Sequence, residues 1–240
     1  MRLKKGGDTS KISDKKMLRL IIFDFDGVLA NSNEAHIEVV LQVLRKLGVD
    51  NISRNEITKH FGKPYKDVLK ALVPDTISES ELKKAAEFQL KILHSKEFIS
   101  KLRLFPSVKR TLAKLRARGM KLAIATGNDE KFMNLALKQL SIEEFFDVVV
   151  TVDHVNRPKP YPDMILKILE TLAIKANEAM YIGDSINDVL MAKNSKVRSA
   201  VVLTGNLSLE EAKALKPDFI IDNVCDLLHL LKNFLNSNNN

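Results

Sequence analysis

The sequence predicts an α/β fold in which a doubly wound parallel sheet carries an inserted α-helical cap. From residue 106 onward, short apolar segments alternate with amphipathic helical patterns, an order typical of parallel strands joined by helical crossovers. Residues 34–104, by contrast, contain helical patterns only. Because a crossover needs a single helix, about 70 residues are too many for a connection, and we expect them to form a cap.

The predicted elements define the domain boundaries. Six apolar segments are predicted strands: 20–25, 121–125, 147–152, 179–182, 199–203 and 218–221. Core helices are predicted at 107–118, 130–140, 164–172, 187–194 and 208–215. Cap helices are predicted at 34–47, 54–61, 65–72 and 78–95. We therefore expect a core of residues 18–32 and 105–232 and a cap of residues 33–104.

Composition restricts the class of protein. The chain has 240 residues, and its 45% of hydrophobic residues suffices for one domain with an insertion. Cys225 is the only cysteine, so a disulfide framework is excluded, and we interpret it as a small buried residue. Neither an apolar stretch of about 18 residues nor a signal-peptide pattern is present. We expect a cytoplasmic protein without a membrane partner.

The formal net charge is +8, and the N-terminal segment carries much of it. Residues 1–16 contain six basic and two acidic residues. We expect residues 1–17 and 233–240 to be disordered tails. A nucleic-acid-binding arm is an open alternative for the basic segment. No aromatic residue is interleaved there for base stacking, so nucleic acid is not the expected partner.

Two carboxylates mark the end of the first predicted strand. An apolar run typical of a strand buried on both faces ends in Asp24-Phe25-Asp26-Gly27. Side chains alternate along a strand, so we expect Asp24 and Asp26 on the same side. Two like charges this close repel unless a cation or protons lie between them. A divalent metal that prefers oxygen ligands, such as Mg²⁺, fits this pair.

Two further signals involve groups that bind phosphate. The second strand is followed by Thr126 and Gly127, so the Thr126 hydroxyl and the following amides could bind a phosphate at a helix N-terminus. Alternatively, Thr126 or Asn128 caps that helix. Lys159 lies in a loop stiffened by three prolines and could serve as a point charge for phosphate. Taken alone, Lys159 is better explained as a solvated loop lysine.

Asp184 and Asp188 supply the remaining acidic groups. Asp184 follows an apolar strand, and Asp188 lies in the first turn of the next helix. Singly, Asp184 could be a turn residue and Asp188 an acid favoured by the helix dipole. All four signals, however, lie just past strands of one parallel sheet, whose carboxyl ends share an edge. Acids, a hydroxyl and a lysine gathered there indicate metal-assisted phosphoryl transfer.

Over about residues 18–232 the chain resembles the haloacid dehalogenase superfamily, in the phosphoglycolate-phosphatase-like branch that joins a Rossmann-like core to a helical cap. The signatures that carry the resemblance are the segment 24–29, Thr126, Lys159, and Gly183-Asp184 with Asp188. The resemblance implies that Asp24 is the nucleophile and forms an aspartyl-phosphate. It also implies that Asp26 protonates the leaving oxygen and then takes a proton from the attacking water.

The resemblance further implies a Mg²⁺ cofactor, held by Asp24, the backbone carbonyl of Asp26, and Asp184. Two side chains and a backbone amide would bind the substrate phosphate: Thr126, Lys159 and the N–H of Gly127. Asp188 would orient Lys159 or a water. The implied function is a Mg²⁺-dependent phosphatase that acts on a small phosphorylated metabolite, such as phosphoglycolate or a sugar phosphate.

Some positions bear on the choice among related functions. Val28 stands where phosphatases of the superfamily more often have threonine, and valine also occurs in β-phosphoglucomutase-like relatives. A phosphosugar mutase is therefore the alternative function. Ser107 stands where many relatives have glycine. Dehalogenases and phosphonate hydrolases lack an acid at the position of Asp26. Response-regulator receivers use similar residues, but they are about half as long and have no cap.

Lys63 is the candidate specificity residue of the cap. It falls where relatives carry a specificity loop and could meet a carboxylate or a second phosphate of the substrate. Alternatively, it is an ordinary surface lysine. The histidines lack metal-ligand spacing and are interpreted as structural or solvated: His36, His60, His94, His154 and His229. The sequence leaves a monomer and a homodimer equally open.

Overall fold

The computed structural model describes residues 18–61 and 63–236, with side chains through residue 232. The predicted tail of residues 1–17 and residues 237–240 lie outside the described residues. The strands are β1 (Leu20–Phe23), β2 (Lys121–Ala125), β3 (Val148–Val150), β4 (Ala179–Gly183), β5 (Arg198–Val202) and β6 (Phe219–Ile221). They form one parallel sheet in the order β3-β2-β1-β4-β5-β6, so the predicted fold class is confirmed.

The described residues contain eleven α-helices and four 3₁₀-helices of three residues each. The α-helices between β1 and β2 are α1 (Asn33–Lys46), α2 (Arg54–Thr58), α3 (Tyr65–Leu72), α4 (Glu79–Leu93), α5 (Lys96–Lys101) and α6 (Val108–Ala117). The other α-helices are α7 (Glu130–Leu140), α8 (Asp163–Leu172), α9 (Ile186–Asn194), α10 (Leu209–Ala214) and α11 (Leu227–Asn236). The helices α1–α5 fill the segment predicted as the cap, and its boundaries at residues 33 and 104 stay predictions.

The central strand β1 is buried on both faces, as its continuous apolar sequence predicts. Ile21 and Phe23 contribute to a core that α6, α7 and α11 share with the helices α1–α5. Leu20 and Ile22 contribute to a second core on the opposite face, beneath α8 and α9. This alternation follows from the two-residue period of a strand, and it places β1 at the centre of the molecule.

The structure corrects several predicted boundaries. The predicted helix 78–95 is interrupted, because α4 ends at Leu93 and the Ser95 side chain accepts the Phe98 N–H to start α5. Helix α11 was not predicted, and it extends to Asn236, within the segment 233–240 that was predicted to be a disordered tail. Strand β1 ends at Phe23, before Asp24, because the chain turns at Gly27, whose φ is 72°.

The sheet topology determines where a ligand can bind. Strand β1 lies between β2 and β4, and the strand order reverses at this point. In open parallel sheets, ligands bind beyond the carboxyl ends of the strands at such a switch point. The residues directly after these three strands are Asp24, Thr126 and Asp184. Within residues 18–61 and 63–236, every helix is too short or too polar to cross a membrane.

Candidate active site

Lys159 connects two buried carboxylates at the end of the sheet. Its Nζ lies 2.8 Å from Asp24 Oδ1 and 2.8 Å from Asp188 Oδ1. Lys159 is only 3% exposed, so its interpretation as a solvated loop lysine is wrong. Burial alone would lower the pKa of Lys159, but the adjacent Asp188 and Asp24 carboxylates raise it above its ordinary value. The lysine is therefore a fixed positive charge beside Asp24.

Asp188 is surrounded by hydrogen-bond donors. Its Oδ1 accepts from the Tyr181 hydroxyl at 2.7 Å, and its Oδ2 accepts from Ser185 Oγ at 2.6 Å and Ser185 N at 3.0 Å. Burial opposes the charge, but Lys159, Ser185 and Tyr181 hold the pKa of Asp188 below its ordinary value. Because both oxygens are already occupied by donors, Asp188 is placed to orient Lys159.

Asp184 occupies a space that two glycines leave open. Its Oδ2 accepts from Asn206 N at 3.0 Å and from Asn206 Nδ2 at 2.7 Å. A Cβ atom at Gly27 would lie 2.2 Å from Asp184 Oδ2, and one at Gly205 would lie 2.0 Å from it. Any side chain at either glycine would therefore displace the Asp184 carboxylate.

The carboxylates of Asp24, Asp184 and Asp188 fit a divalent cation. One oxygen of each lies within 4.8 Å of the others. Burial raises the pKa of Asp24 to about 7 and that of Asp184 well above its ordinary value, and the Asp188 charge adds to both shifts. Such acids resist ionisation together, whereas a cation between them would stabilise their carboxylate forms. Hard carboxylate oxygens suit Mg²⁺.

The carboxylate of Asp26 has a separate set of partners. Its Oδ1 lies 3.1 Å from His36 Nε2 and accepts from the Ser32 hydroxyl. Its Oδ2 accepts from Asn128 Nδ2 at 2.6 Å. Burial opposes the charge, but His36, Ser32 and Asn128 hold the pKa of Asp26 below its ordinary value. The interpretation of His36 as structural or solvated misses this contact with Asp26.

Thr126 and Gly127 follow β2 and line the cavity beside Asp24. Thr126 Oγ1 accepts from the N–H of Asn128 at 3.3 Å and from its Nδ2 at 3.1 Å. The alternative that Thr126 or Asn128 caps α7 is wrong, because Asp129 is the N-cap and accepts the Phe132 N–H at 3.0 Å. The Thr126 hydroxyl therefore lies in the cavity and not at the helix cap.

The helices α1–α5 contribute the roof of this cavity. The Tyr65 hydroxyl on α3 donates to Asn128 Oδ1, and Asn187 Nδ2 on α9 donates to the carbonyl of Phe61 at 3.0 Å. The cavity volume is about 50 Å³, while a single water needs about 10–15 Å³. With the roof in this position, the cavity holds only a small ligand.

Lys63 also lines the cavity, with its Nζ 3.2 Å from His60 Nδ1. Burial lowers the pKa of His60, and the charges of Lys63 and Lys59 add to this effect. All the sequence-predicted site residues thus meet at one place. Six line the cavity: Asp24, Asp26, Lys63, Thr126, Gly127 and Asp184. Lys159 and Asp188 contact each other and adjoin it through Asp24.

The sequence analysis missed several residues that support the site. These residues are Ser32, His36, Tyr65, Asn128, Tyr181, Ser185 and Asn206. Ser185 had a signal, since a serine three residues before an acid is typical of a capping box. Tyr65, Asn128 and Asn206 contact residues far away in the chain. Ser32, His36 and Tyr181 lie six to ten positions from their partners, but they belong to a different element or to the loop beside it, so no helix or strand period links them.

Comparison with known proteins agrees with this fold. Residues 21–202 match the model of the family described as haloacid dehalogenase-like hydrolase, and the chain belongs to this family. Among curated relatives, pyrophosphatase PpaX of Bacillus cereus strain Q1 is 32% identical over 219 residues, covering 89% of this chain and 96% of that protein. The PpaX protein of strain G9842 is 31% identical, and the match covers 90% of this chain and 97% of that protein.

Two solved structures extend the comparison. A haloacid dehalogenase-like hydrolase from Bacteroides fragilis superposes with a TM-score of 0.81 at 25% identity, covering 88% of this chain and 99% of that one. A protein from Haemophilus somnus, described as a predicted phosphoglycolate phosphatase, superposes with a TM-score of 0.77 at 25% identity. The match covers 89% of this chain and 97% of that one. These relatives identify the chain as a phosphatase-type hydrolase.

Proposed function

We propose that this protein is a Mg²⁺-dependent phosphatase that hydrolyses a small phosphorylated metabolite through an aspartyl-phosphate on Asp24. The supporting observation is the contact of Lys159 Nζ with Asp24 Oδ1 at 2.8 Å, beside the carboxylates of Asp184 and Asp188. This arrangement supports the proposal, because a carboxylate that could attack phosphorus, a buried ammonium that could bind phosphate, and carboxylates that could bind a metal lie side by side.

In the proposed first step, an oxygen of Asp24 attacks phosphorus while the bond from phosphorus to the leaving oxygen breaks. Asp26 gives its proton to that oxygen. In the second step, water attacks phosphorus, Asp26 takes a proton from the water, and the bond between phosphorus and Asp24 breaks to release phosphate. The His36 contact favours the carboxylate form of Asp26, whereas an adjacent phosphate dianion would favour the protonated form that the first step needs.

The remaining residues bind and neutralise the phosphoryl group. Thr126, the Gly127 amide and Lys159 would bind its oxygens, and Asp188 would hold Lys159 in place. Bound Mg²⁺, with Asp24, Asp184 and the carbonyl of Asp26 as ligands, would reduce the repulsion between nucleophile and phosphate.

The size of the cavity and the nature of the relatives suggest substrates to test first. The PpaX relatives are named pyrophosphatases, and Lys63 at the roof could neutralise a second phosphate. A structural neighbour is described as a phosphoglycolate phosphatase, whose substrate would carry a carboxylate at the same place. Pyrophosphate, phosphoglycolate and small sugar phosphates are therefore the first substrates to compare.

The nucleophile assignment is tested with Asp24→Asn. We expect phosphate release from p-nitrophenyl phosphate to fall at least about 10³-fold, because an amide oxygen is a poor nucleophile. EDTA should abolish the wild-type activity, and Mg²⁺ should restore it. Asp50→Asn, at an exposed acid on the cap side, is the matched control and should retain full activity. Equal turnover by the Asp24→Asn and Asp50→Asn proteins would refute the assignment.

The mutase alternative rests on Val28, which is fully buried in the segment 24–29 that begins with Asp24. A mutase returns the phosphoryl group to a sugar, so glucose 1-phosphate would be isomerised faster than phosphate is released. Release of phosphate without isomerisation would exclude this alternative.

A further inference from the structure

Gln89 interrupts an apolar stripe of α4. The buried residues of this helix are Leu82, Ala85, Gln89 and Leu93, which share one helix face through spacings of three and four residues. Leu82, Ala85 and Leu93 belong to the hydrophobic core. An apolar residue is therefore the ordinary choice at position 89, and the amide of Gln89 needs another explanation.

The amide of Gln89 is buried, and no donor forms a hydrogen bond to its oxygen. The residue is 1% exposed, and its Oε1 has no hydrogen-bond partner among the described residues. Burying an unpartnered amide oxygen costs stability, so most buried polar groups in proteins are paired. Gln89 also lines the cavity that contains Asp24 and Asp184. A ligand in this cavity is therefore positioned to supply the missing partner.

Most other polar side chains around the cavity already have partners in the protein, although Asn33, which donates to Asn206, also has an unpaired Oδ1. Tyr65 donates to Asn128, His36 contacts Asp26, and Lys63 contacts His60. The walls on the same side are apolar and include Val40 and Val68. An uncommitted amide between apolar walls can discriminate strongly, because a substrate without a matching group leaves it unpaired.

We propose that Gln89 is a specificity-determining residue that hydrogen-bonds an oxygen of the leaving group. This inference rests on the proposed function, in which the phosphoryl group lies at Asp24 and the leaving group extends towards the roof. The unpaired Oε1 needs a donor, such as a hydroxyl of the leaving group, and a 180° turn of the amide would present Nε2 to an oxyanion instead. The preferred leaving group is small and oxygen-bearing, such as phosphate, glycolate or glycerol.

The test compares Gln89→Leu and Gln89→Met with the wild type. Three substrates have leaving groups with further oxygen atoms: pyrophosphate, phosphoglycolate and glycerol phosphate. The fourth, phenyl phosphate, has a leaving group with no further polar atom. We expect kcat/KM for the best oxygen-bearing substrate to fall about tenfold, as for one lost hydrogen bond, and that for phenyl phosphate to change less than twofold. The substrate with the largest loss distinguishes an oxyanion from a hydroxyl.

Thermal unfolding supplies a readout that a structural role would not give. Gln89→Leu should unfold at the same temperature as the wild type or higher, since an apolar side chain suits the stripe. Gln42→Leu, at an exposed glutamine of α1, is the matched control and should leave the substrate preference unchanged.

Three results would overturn the inference. The first is an equal loss on all four substrates, and the second is a lower unfolding temperature in both Gln89 variants. The third is a wild type that prefers phenyl phosphate to every oxygen-bearing substrate. Any of these would leave the proposed function intact as long as Asp24→Asn is inactive, so the two failures can be told apart.

Discussion

At the residue scale, the two acids of the first motif lie in different environments. Asp24 contacts the Lys159 ammonium, and burial raises its pKa to about 7. Asp26 contacts His36 and Asn128, which with Ser32 keep its pKa below the ordinary value. Without a cation and a phosphate these two shifts are the reverse of what the proposed roles need, so bound metal would have to lower the pKa of Asp24 and a bound phosphate would have to raise that of Asp26. We expect the contacts of Asp26 to determine how well it protonates the leaving group.

His36→Asn tests that expectation, because asparagine is too short to keep the 3.1 Å contact with Asp26. We expect kcat for an alkyl phosphate, which needs a proton on its leaving oxygen, to fall about tenfold or more. Turnover of p-nitrophenyl phosphate should change much less, because nitrophenolate leaves without a proton. His229→Asn, at an exposed histidine of α11, is the control. Equal losses on the two substrates would contradict a role in proton transfer.

At the element scale, the connection between α5 and α6 contains one departure from the family, at Ser107. Ser107 is the N-cap of α6 and has a φ of 69°, in the left-handed region that glycine adopts most easily. Its side chain makes no capping hydrogen bond to the helix. The serine found where many relatives have glycine therefore introduces backbone strain at the point where the chain returns to the core.

Ser107→Gly should stabilise the protein by about 0.5–1 kcal/mol, because it removes the strain and loses no cap. For a domain of this size, we expect the melting temperature to rise by about 1–4 °C, measured by calorimetry. Ser100→Gly, within the helix α5, is the matched control and should destabilise the protein by a similar amount. A lower melting temperature for Ser107→Gly would show that the Ser107 side chain contributes more to stability than its backbone strain costs.

At the scale of the whole molecule, polar pairs join the predicted cap to the core above the site. His94 Nε2 lies 2.8 Å from Asp129 Oδ1, the Phe61 carbonyl accepts from Asn187, and Tyr65 donates to Asn128. These polar contacts can be exchanged for contacts with water, whereas Phe98 of α5 also packs against Phe132 of α7 in the shared hydrophobic core, so any opening would have to pivot about that apolar contact. Because the cavity volume is only about 50 Å³, we expect the cap to move when substrate enters.

Metal and pH should act together on the stability of the whole fold. The pKa of Asp24 is about 7 in the folded protein against an ordinary 3.8, and that of Asp184 is raised as well. Between about pH 4 and 7, Asp24 and Asp184 therefore hold more protons in the folded protein than in the unfolded chain, so they make its stability without metal fall as pH rises, and the lowered pKa of the half-buried His60 opposes this only in part. The lowered pKa values of Asp26 and Asp188 affect stability only at more acidic pH.

In EDTA, raising the pH from 5 to 8 should lower the free energy of unfolding by more than about 1 kcal/mol, measured by urea titration. Added Mg²⁺ should stabilise the protein more at pH 8 than at pH 5, because it binds the ionised acids. Asp184→Asn should flatten the pH dependence and reduce the Mg²⁺ effect. A wild type whose stability in EDTA rises over this range would contradict the raised pKa values.

The predictability of the site differed from residue to residue. Asp24, Asp184 and Thr126 directly follow buried strands, so the topology of a parallel sheet was enough to bring them together. Lys159, on a proline-rich loop, was assigned to the site through the family resemblance, and its sequence alone favoured a solvated lysine. His36 and Gln89 lie on amphipathic helices, and their spacing is that of core residues.

The sequence by itself determined the fold class, the order of the strands along the chain and the acids at their ends, because these depend on local patterns of apolar and polar residues. Only the tertiary structure decided which groups surround those acids. It placed Tyr181 and Lys159 against Asp188, and His36 and Asn128 against Asp26. The contacts of Lys159 and Asn128 join distant segments, and those of Tyr181 and His36 join neighbouring elements through the packing of the chain, so the environment of a buried charge depends on which donors the fold brings within hydrogen-bond distance.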